Sequence, residues 1–524
     1  MKKLHKLLIL SAALFLGSSC SNDYLDTIPT DSTATGTIFE NVTNMEMAVN
    51  GLYKRMVIQY SNFTTGYNNG EAVMKMWCGD IAGNNMSIMN FGNVGLQSNT
   101  YHTDPTSMWV RYPWMYYYGI ISNANAIIDF GPDADGSEER KEYLIAQAKV
   151  MRAYCYMMLS QRFHYRWSMG RSNEAFNGNG LVLRLNTSSE SLPLVSAVET
   201  YAQIEKDLKE GIAVLEKEAY KRDNINENYQ INKDVAYAIY ARAALIKGDY
   251  STALTYAQKA RKNYTLMNNQ EYKSGFSYPN SEWIWSSYAK ETESLSVGSF
   301  FGFMAYNASS AEIQYRGRYI SNLLYAQIPE TDLRRGLYLD PEDMSYSSST
   351  GQATKGSALW NKAHELFPDL PNENPITAWY NFKFKCLDNI GVGHLNHFRA
   401  SEMVLIEAEC QHKLGNDPAA QKLLVELNNT SGRNPEYTCD KTGDELFAEI
   451  KLYRAIELWG EGFEWYDLKR WNDKVDRKSF SQGGNSASRY AVSSEQNEEN
   501  NWWTSMLPKQ ETDYNTEVDR KSVV

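Results

Sequence analysis

The sequence predicts a mainly α-helical protein that combines helical hairpins with long irregular loops and a few short strands. Three observations support this fold class. Several segments repeat apolar residues at helical spacing, two segments read as paired helices around a glycine turn, and two long stretches rich in Asn, Gly, Ser and aromatic residues have no lasting periodicity. Because 43% of the 524 residues are hydrophobic and 22% are charged, near the averages for globular proteins, the chain is expected to bury a sizeable core.

Helical periodicity is clearest in the first half of the chain. Apolar residues at helical spacing predict four helices, at 45–59, 109–130, 139–163 and 199–217. The second and third of these helices are expected to pack as an antiparallel pair. Cys155 and Cys410 lie within apolar helical patterns, where a free thiol behaves as a small hydrophobic residue, so both are expected in the core.

Two later segments, 233–262 and 399–428, each read as two helices joined by a tight turn. Gly248 and Gly415 stand at the turns, and alanines such as Ala253 and Ala408 allow the helices to approach closely. Both segments resemble tetratricopeptide helical hairpins. Such hairpins commonly bind proteins, so a protein-binding scaffold is one alternative for the function. The stretch between them, 272–379, is predicted to be irregular with a few short strands.

The N-terminus resembles a bacterial lipoprotein signal. Three lysines precede an apolar run of about ten residues, too short to span a bilayer, and small residues then lead to Cys20. We therefore expect residues 1–19 to be a signal peptide and Cys20 to be acylated and membrane-anchored, with an ordinary secreted protein as the alternative. Residues 20–39, rich in Thr, Ser and Pro, are expected to form a tether, and 40–524 a single domain.

Composition argues against several classes of function. The net charge of -11, without a basic cluster beyond the first six residues, makes a nucleic-acid surface improbable. Beyond the N-terminus no apolar run reaches the roughly 18 residues that a membrane-spanning helix needs. The scattered histidines and cysteines show no metal-ligand or redox spacing, and neither a phosphate-binding glycine loop nor a Gly-x-Ser-x-Gly motif occurs. No cofactor and no metal are predicted.

The order of these segments resembles the SusD/RagB family, the glycan-binding outer-membrane lipoproteins of Bacteroidetes. The motifs that carry this resemblance extend over nearly the whole chain and include Asn50-Gly51-Leu52-Tyr53, Arg152-Ala153-Tyr154, the spacing of Tyr201, Ile204, Asp207 and Leu208, and the C-terminal run of Arg454, Glu457, Glu461 and Asp467 to Trp471. One position departs from the family pattern, because Glu464 stands where the family usually has an arginine.

The resemblance implies a SusD-like domain, a non-catalytic role in glycan uptake and a place on the outer face of the outer membrane. It also implies a partner, a SusC-type TonB-dependent transporter to which the captured oligo- or polysaccharide is delivered. A surface glycoside hydrolase is the competing reading, although carboxylates alone cannot establish one in a chain with 63 acidic residues.

Glycan binding needs aromatic platforms for C–H faces together with amide, carboxylate or guanidinium groups for hydroxyls. Two regions supply this mixture, 60–101 and 283–319, and the resemblance places the family's ligand face in the same two regions. The candidate ligand-binding residues are Tyr67, Asn85, Tyr101, Tyr288, Tyr306, Tyr315 and Arg316. Trp77 and Trp285 stand at patterned positions and are expected to be core residues instead.

The C-terminal motif is expected to be structural. Arg454, Glu457 and Glu461 are spaced i, i+3 and i+7, so they can share a helix face and pair with one another. Gly460 and Gly462 are expected to end that helix. We interpret these charges as a structural polar network rather than a catalytic site.

Overall fold

The computed structural model describes residues 35–57, 70–88, 101–170, 180–289, 299–310, 313–314, 317–494 and 504–518. Within these ranges the fold is mainly helical, as the sequence predicts. The α-helices are α1 Thr35–Ile38, α2 Val42–Arg55, α3 Gly70–Val73, α4 Met108–Phe130, α5 Glu138–Phe163, α6 Trp167–Gly170, α7 Ala197–Leu215, α8 Lys233–Ile246, α9 Tyr250–Arg261, α10 Asn269–Tyr272, α11 Phe300–Met304, α12 Asn322–Tyr325, α13 Ala358–Leu366, α14 Ala400–Lys413, α15 Asp417–Val425, α16 Gly443–Glu457, α17 Glu464–Trp471 and α18 Lys509–Tyr514.

The strands are short, and each pairs with one antiparallel partner. The pairs within the described residues are β1 Met86–Ile88 with β5 Arg318–Ile320, β2 Leu181–Val182 with β3 Leu194–Val195, β4 Trp283–Ser287 with β6 Leu395–Arg399, and β7 Val475–Arg477 with β8 Val492–Ser494. The β1–β5 and β4–β6 pairs join segments far apart in the chain. They therefore decide which loops become neighbours.

Both predicted hairpins are confirmed. Helices α8 and α9 meet at Gly248, and α14 and α15 meet at Gly415; the two glycines have φ values of +70° and +81°, which side chains rarely adopt. Ala253, Ala257 and Ala260 of α9 are fully buried, as close helix packing requires. The predicted helices at 109–130, 139–163 and 199–217 agree with α4, α5 and α7 to within two residues at each end.

Local sequence explains where these helices begin. Ser196 caps α7 through a reciprocal capping box with Glu199, and Ser137 accepts a hydrogen bond from the backbone of Arg140 at the start of α5. Cys155 on α5 and Cys410 on α14 are both fully buried, as predicted. A π-helix at Met74–Asp80 was not predicted, because its apolar residues follow neither the 3.6-residue nor the two-residue period.

The apolar interior has two parts. The main core gathers residues from most helices, and Trp77 and Trp285, both predicted as core residues, are fully buried in it. A second, smaller core lies under 339–382, around Leu359, Tyr380 and Phe382. The segment 272–379 contains the predicted short strands, but it also contains helix α13, whose nine residues the sequence pattern did not indicate.

The C-terminal motif forms a buried ionic network with partners other than those predicted. Glu457 is bound by Arg334, Arg399 and Arg433, and Glu461 by Lys383 and Arg399. Arg454 instead binds Asp467 at 2.6 Å. The expected pairing along one helix face is wrong because α16 ends at Glu457, which leaves Glu461 beyond the helix.

The predicted ending of α16 is partly confirmed. Gly460 and Gly462 follow the helix with φ values of +77° and +90°. A Cβ atom built on Gly462 would lie 2.6 Å from the Cα atom of Lys75, so the chain approaches the π-helix here as only glycine permits.

The N-terminal predictions fall largely outside the described residues. The signal peptide, Cys20 and the tether as far as residue 34 belong to this part of the chain. The end of the predicted tether is not purely extended, because it contains α1, and the ring of Phe39 packs on Phe130 with centroids 5.6 Å apart. None of the helices in the described ranges combines the length and apolar character needed to cross a membrane.

Candidate functional site

The β1–β5 pair brings the two predicted ligand regions together. Ile88 lies opposite Arg318, and Met86 lies opposite Ile320. Because the strands are antiparallel, the C-terminal end of β1 and the N-terminal end of β5 lie at the same end of the pair. The chain therefore leaves β1 and enters β5 at the same end of the pair.

Aromatic packing holds the β1–β5 pair in place. Trp77 of the π-helix contacts Phe303 of α11 edge-to-face, with centroids 5.0 Å apart, and it contacts Trp109 of α4 at 5.4 Å. The guanidinium of Arg318 lies 5.3 Å from the Phe303 ring centroid. These residues are buried, so they support the site rather than form its surface.

The opposite end of β1 borders an open cleft of about 260 Å³. Its walls are residues 80–86, α12, α16 and α17. Aromatic side chains, Trp459, Phe463 and Trp471, line the cleft together with the amides of Asn84 and Asn85. Of the seven predicted ligand residues, Asn85 is the one found here.

A carboxylate and a guanidinium hold residues 81–85 from two sides. The Glu464 carboxylate accepts hydrogen bonds from the backbone N–H groups of Asn84 at 2.6 Å and Asn85 at 3.0 Å. Arg477 donates from Nε and Nη2 to the carbonyl of Gly83, and from Nη2 to the carbonyl of Ile81 at 2.9 Å. The glutamate at position 464, where the family usually has an arginine, thus has a structural role, because an arginine could not accept hydrogen bonds from these N–H groups.

Two carboxyl groups of this cleft are perturbed in the same direction. Burial raises the pKa of Glu464 to about 8, against the opposing effect of the Asn85 and Asn84 N–H groups. Burial likewise raises the pKa of Asp80 to about 7, although its carboxylate accepts from the backbone N–H of Gly462 at 2.7 Å. Both groups bind backbone, so the contacts in hand give them a structural role rather than one in acid–base chemistry.

Tyr288 follows β4 and is half-buried. Its ring packs on the ring of Tyr229 with centroids 5.0 Å apart, and Tyr229 packs in turn on Tyr53. The backbone carbonyl of Tyr229 accepts a hydrogen bond from Nε1 of Trp285 at 2.9 Å, which fixes this loop against β4. Tyr229 is therefore a candidate that the sequence prediction missed, since no pattern linked 229 to 288.

The other predicted ligand residues lie in different environments or outside the described residues. Tyr101 opens a short 3₁₀ helix and is half-buried against the main core. Tyr306 does not fit the predicted role of a surface platform. It is 6% exposed, packs between Phe367 and Phe382 in the smaller core, and donates to Asp369 at 3.2 Å. Tyr67, Tyr315 and Arg316 lie outside the described residues.

Within the described ranges, no group of three or more His, Cys, Asp and Glu residues is arranged to hold a metal ion. His397 of β6 is buried, and its Nε2 lies 2.6 Å from the hydroxyl oxygen of Ser287.

Comparison with known proteins identifies the family. A model of the SusD family matches residues 388–521, and a second family model, described as starch-binding and associating with the outer membrane, matches residues 23–245. A stretch of 86 residues is 33% identical to the SusD-like protein P38 of Formosa agariphila. This match covers 15% of the present chain and only 17% of that protein.

Solved structures share the fold over almost the whole chain. A SusD-like carbohydrate-binding protein from Bacteroides vulgatus superposes with a TM-score of 0.72 at 21% identity, covering 92% of this chain and 98% of that one. The surface glycan-binding protein A of Bacteroides thetaiotaomicron, crystallised with laminarihexaose, superposes with a TM-score of 0.66 at 17% identity, covering 91% and 98%. Since the two SusD family models together match residues 23–245 and 388–521, the chain belongs to the SusD/RagB family.

Proposed function

We propose that this protein captures oligo- or polysaccharides at the cell surface. The observation that carries the proposal is the β1–β5 pair, which joins two segments rich in aromatic and amide side chains at one end of a rigid support. Membership of a family with glycan-binding members, one of them crystallised with laminarihexaose, supports the same conclusion. The scaffold is buried and tightly packed, which suits a site that must present rings without rearranging.

The proposed ligand residues are Tyr67, Tyr101, Tyr288, Tyr315 and Arg316, with Tyr229 supporting Tyr288, and Asn85, which lines the separate cleft at the opposite end of β1. Tyrosine rings offer flat surfaces to sugar C–H groups, and the amide and guanidinium groups offer directional bonds to hydroxyls. Tyr306 is not retained, because both its ring neighbours and its hydrogen bond belong to the smaller core.

Binding is tested with purified protein, starch and laminarin in affinity electrophoresis, followed by calorimetry with maltohexaose and laminarihexaose. Replacing Tyr288 or Tyr315 by alanine is expected to weaken binding about five- to a hundredfold, since stacking and edge contacts of one ring contribute about 1–3 kcal/mol. Tyr514→Ala is the control, because Tyr514 is 82% exposed in α18 and belongs to neither ligand segment. Equal binding by all three variants would contradict the proposed face.

A surface hydrolase is the competing function, and the same reagents separate the two. Incubation with the bound polysaccharide is expected to leave the number of reducing ends unchanged. If the wild-type protein releases reducing ends and Asp80→Asn does not, catalysis is instead assigned to the cleft beside β1. Asp80 and Glu464 are the two carboxyl groups of that cleft with raised pKa values.

We further propose that the protein is anchored to the outer membrane through acylated Cys20 and delivers glycan to a SusC-type TonB-dependent transporter. Within the described residues no helix is long and apolar enough to cross a membrane, so import of a captured glycan would need a separate transporter. Cys20→Ala is expected to move the protein from the membrane fraction to the soluble one. Co-purification from detergent-solubilised outer membranes is expected to recover the transporter, and recovery of the lipoprotein alone would count against delivery.

A protein-binding scaffold without glycan affinity remains the third candidate, since both helical hairpins are present. The outcome that favours it is co-purification of a partner together with the absence of binding to every glycan tested. Glycan capture requires binding to at least one of the glycans, so the binding assay and the co-purification together decide between these functions.

A further inference from the structure

A second cleft lies on the helical side of the molecule, where the end of α7, the start of α8 and the 218–232 connection meet. Its volume is about 240 Å³, close to that of the cleft beside β1. None of the predicted ligand residues lines it. Its walls include the rings of Tyr143 and Tyr220, which lie 5.0 Å apart between centroids, and the amide side chains of Asn224, Asn232 and Asn263.

One polar atom of this cleft lacks a hydrogen-bond partner. Asp234 lines the cleft and is 4% exposed; its Oδ2 accepts from Nδ2 of Asn263 at 3.2 Å, whereas its Oδ1 is buried and accepts no hydrogen bond. Burial raises the pKa of Asp234, with the Asn263 amide, Arg222, Lys233 and the Tyr264 hydroxyl acting in the opposite direction. A buried carboxyl oxygen without a donor is costly, so a ligand hydroxyl or water that donated to it would be stabilising.

The charged side chains that line the cleft are of both signs. Lys221, Arg222 and Lys233 are basic and Glu218 and Asp234 are acidic, so the cleft has no strong excess of one charge. Lys233 is neutralised by its ion pair with Glu218, and Arg222 donates to the carbonyls of residues 228, 230 and 284 and to the Tyr264 hydroxyl. A neutral ligand with many hydroxyls and apolar faces fits what remains.

The cleft is connected to the Tyr288 surface through one loop. Arg222 lines the cleft and donates to the carbonyl of Asn228, which precedes Tyr229, the residue that packs on Tyr288. Arg222 also donates to the carbonyl of Ile284 in β4, and Tyr288 follows the same strand. The 222–229 loop therefore has the cleft on one side and Tyr288 on the other.

From these contacts we infer that the Tyr143–Tyr220–Asp234 cleft is a second saccharide-binding site, which lets the protein hold a long glycan at two points. Asp234 accepts a sugar hydroxyl, the three asparagines supply further directional bonds, and the tyrosine pair forms the apolar wall. The inference rests on the proposed glycan capture and adds a location that the aromatic loops do not include. Two linked contacts raise the affinity for a polysaccharide more than that for a short oligosaccharide.

The test uses the full mature protein with laminarin, starch, laminarihexaose and maltohexaose. Asp234→Asn keeps the shape of the side chain but replaces an acceptor, and Asn263→Ala removes one amide at an exposed position. Asn361→Ala, at an exposed amide in α13, is the matched control. Amide hydrogen exchange over 218–234 is measured with and without the polysaccharide that the wild-type protein binds.

We expect the polysaccharide to protect 218–234 from exchange in the wild-type protein. Asp234→Asn and Asn263→Ala should remove this protection and weaken polysaccharide binding by about three- to tenfold, the worth of roughly one hydrogen bond. Tyr288→Ala should weaken binding but retain protection of 218–234 at saturating polysaccharide, and Asn361→Ala should behave as wild type.

Two different failures are distinguishable. If the wild-type protein binds a glycan but 218–234 is not protected, or if both cleft variants bind and exchange like wild type, the second site is overturned while glycan capture stands. If the wild-type protein binds none of the glycans, capture itself fails and the second site fails with it.

Discussion

Replacing Glu457 by glutamine should destabilise the protein more than any conservative change on its surface. Glu457 is fully buried, and its two oxygens accept hydrogen bonds from Arg399 at 2.7 Å, Arg334 at 2.8 Å and Arg433 at 3.1 and 3.2 Å, and from the Tyr272 hydroxyl at 3.2 Å. The variant retains the size of the side chain. It turns one acceptor into a donor that faces guanidinium groups.

The magnitude follows from the charge balance of the network. Its basic members are Arg334, Lys383, Arg399 and Arg433, and its acidic members are Glu282, Asp332, Glu457 and Glu461. Loss of one acid leaves one positive charge uncompensated in the interior. Breaking a buried pair in this way costs about 3–5 kcal/mol. We therefore expect the free energy of unfolding of Glu457→Gln to fall by about that amount.

Guanidinium denaturation of the two proteins at pH 7 measures this difference as a shift in midpoint with an unchanged slope. Glu436→Gln is the control, because Glu436 is exposed, and surface changes usually stay within about 0.5 kcal/mol. A loss below about 1 kcal/mol for Glu457→Gln would refute the reasoning, since it would mean that the network tolerates an unpaired buried charge.

The pH dependence of the same pair of proteins gives an independent check. Burial alone would raise the pKa of Glu457, but Arg433, Arg399 and Arg334 hold it well below its usual value. A carboxylate with a depressed pKa adds stability above its unfolded pKa of about 4.3 and loses it as the pH falls toward the folded value. The difference between wild type and Glu457→Gln should therefore be constant above about pH 5 and shrink below about pH 4.

Two further predictions concern Glu464 in the cleft beside β1 and Gly462, which follows α16. Because the pKa of Glu464 is raised to about 8, the folded protein binds more protons than the unfolded chain between about pH 4.3 and 8, and the contribution of this group to stability is lost as the pH rises through that range. In a series of denaturation measurements, Glu464→Gln should therefore lose less stability than wild type between pH 5 and 8.5. Parallel stability curves for the two proteins would contradict the raised pKa. Gly462→Ala should destabilise by more than about 1–3 kcal/mol, the usual strain of an unfavourable backbone conformation, because its Cβ would also meet the backbone of Lys75 at 2.6 Å. Gly483→Ala, with a similar φ of +85° but open space around it, isolates the strain, so equal losses in the two variants would rule out the close contact.

The helical parts of the fold could be predicted because their signals are local. The hairpins at 233–262 and 399–428 show apolar periodicity, a glycine turn and alanines at the crossing, and each of these acts within about 30 residues. The paired strands could not be predicted in the same way. Strand β1 has three residues and its partner β5 lies more than 200 residues later, so pairing depends on tertiary packing rather than on sequence pattern.

Aromatic composition indicated the two candidate ligand regions, but it could not distinguish aromatic residues that can contact a sugar at the surface from those buried in the core. Tyr288 and Tyr306 have similar surroundings in the sequence, yet Tyr288 is only half-buried beside Tyr229, whereas Tyr306 is enclosed by Phe367 and Phe382. The rings that enclose Tyr306 come from a core built by 339–382, which the sequence presented as irregular. Burial of a loop residue depends on which distant segment covers it.

Glu464 shows how far a single departure from a family pattern can be interpreted. The sequence indicates a reversed charge but not its partner, and the partners prove to be backbone N–H groups almost 400 residues away, at Asn84 and Asn85. A carboxylate can accept two such groups, and Arg477 on the other side of the same turn donates to the carbonyls of residues 81 and 83. The reversed charge at Glu464 thus fixes the backbone that leads into β1. Since β1 leads into one of the two proposed ligand segments, Glu464 supports the proposed site through the backbone that positions this strand.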